Sequence, residues 1–236
     1  MRILAIDTSN LVLSTAVVEE ERVLGEWTTN LNKNHSVRLM ESISQLLDSL
    51  DLGPDQLDGI AVARGPGSYT GVRIGVATAK TMAWSLNIPV IGVSSLQAVA
   101  ANAGGYSGMI VPLFDARRGQ VYTGGYRSGP DMTAREVLPE RIILLRDWLP
   151  MAAEAAADGP VLFLGDDVSI HRSVITEVLG EQAQFAPPFF NHPRAAGIGW
   201  LAAKQIGRAG NVHQLVPEYL QLAEAEAKLK ARGCST

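Results

Sequence analysis

The 236-residue sequence predicts an α/β protein whose mixed sheets are flanked by helices. Apolar, strand-like runs alternate with segments of helical spacing, which is typical of layered α/β folds. The first three runs, 3–7, 13–18 and 23–28, follow one another closely and predict antiparallel hairpins, hence a mixed sheet. The pattern restarts near the middle of the chain, and Asp7 and Asp115 end equivalent strands about 108 residues apart. This spacing suggests a structural duplication.

The N-terminal half, 1–103, continues with helices and further strands. Ser36 is the predicted N-cap of a helix that runs to about Leu50, with apolar residues at helical spacing. The elements predicted after it are strand 60–63, helix 70–86, strand 89–93 and a short helix beginning at Ser94 or Ser95.

The C-terminal half, 104–236, repeats the opening pattern and ends in a helix-forming tail. Its predicted elements are strands 109–115 and 120–126, helix 141–157, strand 161–164, and helices 169–179, 195–208 and 223–232. The tail helix carries Glu224/Lys228 and Glu226/Lys230 at the favourable spacing and order. Whether it packs on its own half or crosses back to the first stays open.

Composition excludes several classes of protein. The net charge is −4 and no segment concentrates lysine or arginine, so any RNA contact is expected to be shared with a partner. Cys234 is the only cysteine in the sequence and cannot form an intrachain disulfide, which favours a reducing, cytoplasmic setting. We find no signal-peptide pattern. Residues 81–114 carry no charge, but prolines and glycines interrupt them, so no membrane span is predicted.

Residues 65–75, Gly-Pro-Gly-Ser-Tyr-Thr-Gly-Val-Arg-Ile-Gly, form the most informative stretch. Three glycines and a proline between a strand and a helix bring backbone N–H groups close to whatever lies at the helix start. The loop therefore serves either to hold an anion or to pack the helix closely on a neighbour. No Gly-Lys-Ser/Thr follows and no acid ends strand 89–93, so the Walker A and dinucleotide fingerprints are both incomplete.

A stripe of small residues follows the loop, since Gly71, Gly75, Ala79 and Ala83 are spaced four apart. Such a stripe lets two helices approach closely, or lets one helix pack tightly on its own sheet. Both interpretations stay open. Under the first, Gly75→Leu weakens association and leaves a folded monomer.

Two acids at strand ends, Asp7 and Asp115, either hold a hydrated Mg²⁺ or cap the turns that follow them. The four histidines show no pair spaced three or four apart, so no helical metal pair is predicted. The sequence has no Gly-x-Ser-x-Gly elbow, and its cysteine lies in the tail, so no hydrolase machinery is predicted.

Together these motifs resemble the TsaB (YeaZ) family. The resemblance is strongest at the loop, is sparse in the second half, and covers residues 6–9, 35–40, 63–75, 115–122 and 217–220. Gln120 stands where the family often has an acid. Ser9 stands where active members of the actin-like superfamily carry Asp-x-Gly, and the chain lacks the His-x-x-x-His pair of TsaD-like proteins.

The resemblance implies a duplicated actin-like, Hsp70-like fold of the RNase H-like class, here a degenerate ATPase. It implies a role in making N6-threonylcarbamoyladenosine at position 37 of tRNA. The implied role is that of a non-catalytic dimerisation or scaffold subunit, homodimeric alone and heterodimeric with the catalytic paralogue TsaD. The ATPase TsaE supports turnover, and tRNA is reached only through the complex. No intrinsic cofactor is implied, and weak Mg-nucleotide binding is left to the complex.

The resemblance places the pairing surface on helices 36–50 and 70–86. The residues expected to face the partner are Leu39, Met40, Ile43, Leu47, Gly71, Ile74, Gly75, Thr78, Ala79, Met82 and Ala83. The residues expected to line a nucleotide-facing cleft are Asp7, Thr8, Ser9, Gly67, Ser68, Thr70, Asp115, Arg117 and Arg118. Two alternatives remain: a small-molecule kinase or ATPase that uses the two acids, and a direct tRNA-binding module.

Overall fold

The computed structural model describes residues 1–20, 22–31, 34–208 and 211–220. The predicted tail helix, 223–232, lies outside the described residues. Among those that are described, no helix combines the length and the apolar composition needed to cross a bilayer.

The first sheet has five strands in the order β3-β2-β1-β4-β5. They are β1 (Arg2–Asp7), β2 (Val12–Glu19), β3 (Arg22–Asn30), β4 (Gly59–Ala63) and β5 (Val90–Val93). β1, β2 and β3 form an antiparallel meander, while β1, β4 and β5 run parallel to one another. The carboxyl ends of the three parallel strands therefore meet at one edge of the sheet.

The second sheet repeats this topology in the order β10-β9-β6-β7-β8. Its strands are β6 (Met109–Asp115), β7 (Gln120–Ser128), β8 (Ala134–Leu144), β9 (Val161–Leu164) and β10 (Ala183–Phe185). β6 and β7 pair antiparallel, as do β7 and β8, while β6, β9 and β10 are parallel. β6 thus takes the place of β1, which confirms the duplication and the mixed sheets.

Helices cover both faces of each sheet. They are α1 (His35–Ser49), α2 (Tyr69–Leu86), α3 (Ser95–Ala101), α4 (Leu145–Ala156), α5 (Val168–Leu179), α6 (Pro188–Asn191) and α7 (Ala195–Ala203). α1 and α2 pack on the outer face of the first sheet, and α4 and α5 on the outer face of the second. α3 and α7 lie between the two sheets and contact each other.

One helix from each of the predicted halves, 1–103 and 104–236, packs on the sheet of the other half. α3, placed in the first half, packs on β6, β7 and β8 of the second sheet. α7, placed in the second half, packs on β1, β2, β4 and β5 of the first. Each crossing helix buries the inner face of the opposite sheet, which would otherwise expose apolar side chains to water.

Two local predictions were wrong. The helix expected from residue 141 begins at Leu145, because residues 134–144 form the edge strand β8. An edge position tolerates Pro139, whose ring nitrogen cannot donate to a ladder. α1 is capped by Asn34 rather than Ser36, since the Asn34 side-chain oxygen accepts the Ser36 N–H at 3.1 Å.

Candidate partner interface and nucleotide cleft

The glycine-rich loop between β4 and α2 packs directly on the chain that leaves β1. The Ser68 backbone N–H donates to the Ser9 carbonyl oxygen at 2.7 Å. A side-chain carbon added at Gly67 would lie 2.2 Å from that same oxygen. The backbone of the loop thus packs directly against the backbone at Ser9. Because the Ser68 N–H already donates to the Ser9 carbonyl oxygen, it is not available to bind an anion.

The small residues of α2 serve the same internal contact. A side-chain carbon at Gly71 would lie 2.1 Å from the Thr8 carbonyl oxygen, and one at Gly75 would lie 2.4 Å from the Thr8 hydroxyl. That hydroxyl donates to the Gly71 carbonyl oxygen at 2.8 Å. The interpretation of the stripe as packing on the chain's own sheet is therefore correct, and Gly75→Leu is expected to unfold the chain rather than release a monomer.

Asp7 is fully buried at the end of β1. One carboxylate oxygen accepts the Ser9 backbone N–H at 2.8 Å, and the other has no partner among the described residues. Burial, which disfavours the charged form, raises the pKa of Asp7 to about 6. The turn-capping interpretation of Asp7 thus fits the structure.

Asp115 sits at the equivalent end of β6 but is only half-buried. Its carboxylate lies 3.0 Å from the His171 ring nitrogen Nε2, and its backbone N–H donates to the Asp167 carboxylate at 2.9 Å. Burial raises the pKa of Asp167, and the neighbouring Asp115 charge adds to this rise. Within the described ranges, no group of three or more His, Cys, Asp or Glu side chains is arranged to hold a metal ion.

Only some of the residues predicted to line the nucleotide cleft are therefore exposed to solvent. Asp7, Thr8 and Ser9 are fully buried beneath the loop, so their assignment to an open cleft was wrong. The partly or largely exposed members of the predicted set are Gly67, Ser68, Thr70, Asp115, Arg117 and Arg118. The last two occupy a tight turn between β6 and β7, both at positive φ.

More than half of the predicted partner-facing residues face the core instead. Buried against the first sheet are Leu39, Ile43, Leu47, Gly71, Gly75, Ala79 and Ala83. Their helical spacing identified one face of each helix correctly, but that face packs on the chain's own strands. These seven assignments to the interface were wrong.

The outer faces of α1 and α2 carry the remaining predicted residues. Met40 is half-exposed, and Ile74, Thr78 and Met82 are partly exposed. Sequence reasoning missed Val37, which is 71% exposed, and Trp84, which is 68% exposed. Both lie on the side of their helix opposite the buried residues. The same helical spacing that identified the buried side could have identified these two residues, because apolar residues that fall off that side are expected to be exposed.

Comparison with known proteins agrees with this architecture. The family model described as "TsaD: tRNA N6-adenosine threonylcarbamoyltransferase" matches residues 22–229. The tRNA threonylcarbamoyladenosine biosynthesis protein TsaB of Bacillus subtilis is 50% identical over 97% of this chain and 97% of its own length. The Escherichia coli protein of the same name is 34% identical over 54% of this chain and 55% of its own.

A solved structure extends the likeness to three dimensions. YeaZ from Pseudomonas aeruginosa superposes with a TM-score of 0.78 at 25% identity, covering 93% of this chain and 99% of that one. With the repeated sheet topology, this likeness confirms the duplicated actin-like fold. The near-complete match to the B. subtilis protein shows that the chain belongs to the TsaB (YeaZ) family.

Proposed function

We propose that this chain is a non-catalytic scaffold subunit in the biosynthesis of N6-threonylcarbamoyladenosine at position 37 of tRNA. The observation that carries the proposal is that α1 and α2 expose large apolar side chains on their outer sides: Val37 and Met40 on α1, and Trp84 on α2. Large exposed apolar and aromatic side chains on adjoining helices are typical of a protein–protein interface.

The proposed partner is the TsaD transferase, with which this chain forms a heterodimer. The match of the TsaD family model to residues 22–229 supports a shared fold, so the partner is expected to carry equivalent helices. Two like surfaces then pair about a pseudo-twofold axis, and two copies of this chain pair the same way when alone. In this proposal TsaE joins the assembly and tRNA binds only through it, in the cytoplasm.

Substituting Val37 tests the surface. Val37 is the third residue of α1, and Ile170 is the third residue of α5 and 63% exposed, so the two are closely matched. Val37→Asp is expected to weaken self-association and TsaD binding by about 30-fold, because the carboxylate would be desolvated without a partner. Size-exclusion chromatography with light scattering, alone and with TsaD, measures both.

Ile170→Asp is the control for that substitution. It places the same charge in the first turn of a helix that the proposal leaves outside the interface, and it is expected to associate like the unchanged protein. A strictly monomeric wild-type chain that does not bind TsaD contradicts the proposal. Equal behaviour of the two variants would place the interface elsewhere.

The alternative of a kinase or ATPase makes a different prediction for nucleotide binding. The Ser9 carbonyl oxygen packs against Gly67 and accepts the Ser68 N–H, so this part of the loop has no room for a phosphate group. We therefore expect no calorimetric heat from Mg-ATP added to the isolated chain at micromolar concentration. Micromolar binding with turnover would favour the enzyme alternative. Any weak nucleotide binding is expected only once the complex has formed.

A further inference from the structure

Residues 211–220, which we call the strap, lie along α2 and reach the glycine-rich loop. The Glu218 backbone N–H donates to the Arg64 carbonyl oxygen at 2.7 Å, and the side chains of the same two residues form an ion pair at 3.1 Å. Next along the chain, Tyr219 stacks on Tyr69, the first residue of α2, with ring centroids 4.9 Å apart. The end of the strap thus touches both the loop and the start of α2.

A second set of contacts holds the middle of the strap. The Lys80 ammonium of α2 donates to the Leu215 carbonyl oxygen at 2.7 Å and to that of His213 at 3.3 Å. Tyr69 and Lys80 lie three turns apart on one side of α2. The strap therefore spans more than half the length of the helix along that side.

The surface beneath the strap is shaped to receive it. A side-chain carbon at Gly65 would lie 2.6 Å from the Glu218 carbonyl oxygen, and one at Gly92 would lie 2.6 Å from a Leu215 methyl group. Gly65 also has a φ of +112°, a conformation that other residues rarely adopt. A side chain at either glycine would therefore collide with the strap.

The contacts that hold the strap are nevertheless those of a surface segment. The Arg64 and Glu218 side chains are 45% and 36% exposed, and the apolar residues Val212 and Leu215 are only partly buried. Segments with few buried apolar contacts open at a lower free energy than the core does. The strap is thus expected to open at a lower free energy than the core of the first sheet.

We propose that the strap is a releasable clamp on α2, and that its release loosens the glycine-rich loop and the first turn of α2 and lowers the affinity of the partner surface. The loop and helix that it holds are those whose outer side carries Ile74, Thr78 and Trp84. The effect on affinity rests on the proposed function, whereas the clamping itself does not.

The double variant Glu218→Ala/Tyr219→Ala tests the clamp, since it removes the ion pair and the ring stack without changing any residue of α2. Hydrogen exchange of the backbone N–H groups at residues 68–75 is expected to quicken by about tenfold. Sedimentation analysis is expected to show self-association weakened by a similar factor. Glu177→Ala is the matched control, because it removes the exposed Arg146–Glu177 pair on α4 and α5 and should change neither readout.

Each outcome decides a separate point. Unchanged exchange at residues 68–75 in the double variant overturns the clamp. Faster exchange with unchanged self-association overturns its control over the partner surface. If the wild-type chain neither self-associates nor binds TsaD, the proposed function fails, and the exchange measurement still decides whether the strap clamps α2.

Discussion

Replacing Gly71 with alanine is expected to lower the free energy of unfolding by about 3 kcal/mol or more. The new methyl group would lie 2.1 Å from the Thr8 carbonyl oxygen and 3.3 Å from the Thr8 carbonyl carbon. Both are backbone atoms of a buried segment, which cannot move aside as a flexible side chain can. The Thr8 hydroxyl also donates to the Gly71 carbonyl oxygen, so a shift of α2 breaks that bond as well.

Urea denaturation measures this loss, and Gly197→Ala is the matched control. Gly197 lies within α7, where an added methyl group meets its nearest atom, the Ala98 carbonyl oxygen, at an ordinary 3.6 Å. The control is expected to stabilise the chain by about 0.5–1 kcal/mol, because alanine restricts the unfolded chain and favours the helix. If Gly71→Ala were as stable as the control, the close approach of α2 to Thr8 would be refuted.

The chain is expected to lose stability as the pH rises through about 6, because of Asp7. Burial raises its pKa from 3.8 to about 6, so between these values the folded state holds a proton that the unfolded state has released. The contribution is present in full below the unfolded pKa and is lost above the folded one. Two pKa units correspond to about 3 kcal/mol.

Asp7→Asn isolates this contribution. The asparagine side chain keeps an oxygen to accept the Ser9 N–H but carries no charge at any pH. Denaturation of both proteins at pH 4.5, 6 and 8 is expected to show the stability of the variant rising relative to that of the wild type by about 2 kcal/mol between pH 4.5 and pH 8, because about a third of the Asp7 contribution is already lost at pH 4.5. Stability curves that stay parallel with pH would show that Asp7 is not the buried group responsible.

Much of the fold could be predicted from local sequence patterns, because whether a segment forms a helix or a strand depends largely on residues close together in the sequence. The alternation of strands and helices, the repeat that relates Asp7 to Asp115, and the span of α2 all follow from spacing that local physics enforces. β8 escaped prediction because its pairing with β7, rather than its own mixed composition, makes it a strand. The exchange of α3 and α7 between the sheets leaves no local signature, since it depends on which apolar face each helix meets.

The duplicated α/β architecture, the family motifs and the glycine-rich loop at the start of α2 can all be predicted from local sequence patterns. How these parts are used depends on contacts between segments that lie far apart in the chain. Helical spacing identifies the small stripe of Gly71 and Gly75 but not the neighbour that the stripe meets, and that neighbour is Thr8 of the same chain. The contact leaves the opposite side of α2 exposed. Burial is a relation between segments distant in the sequence, so periodicity within one segment cannot reveal it.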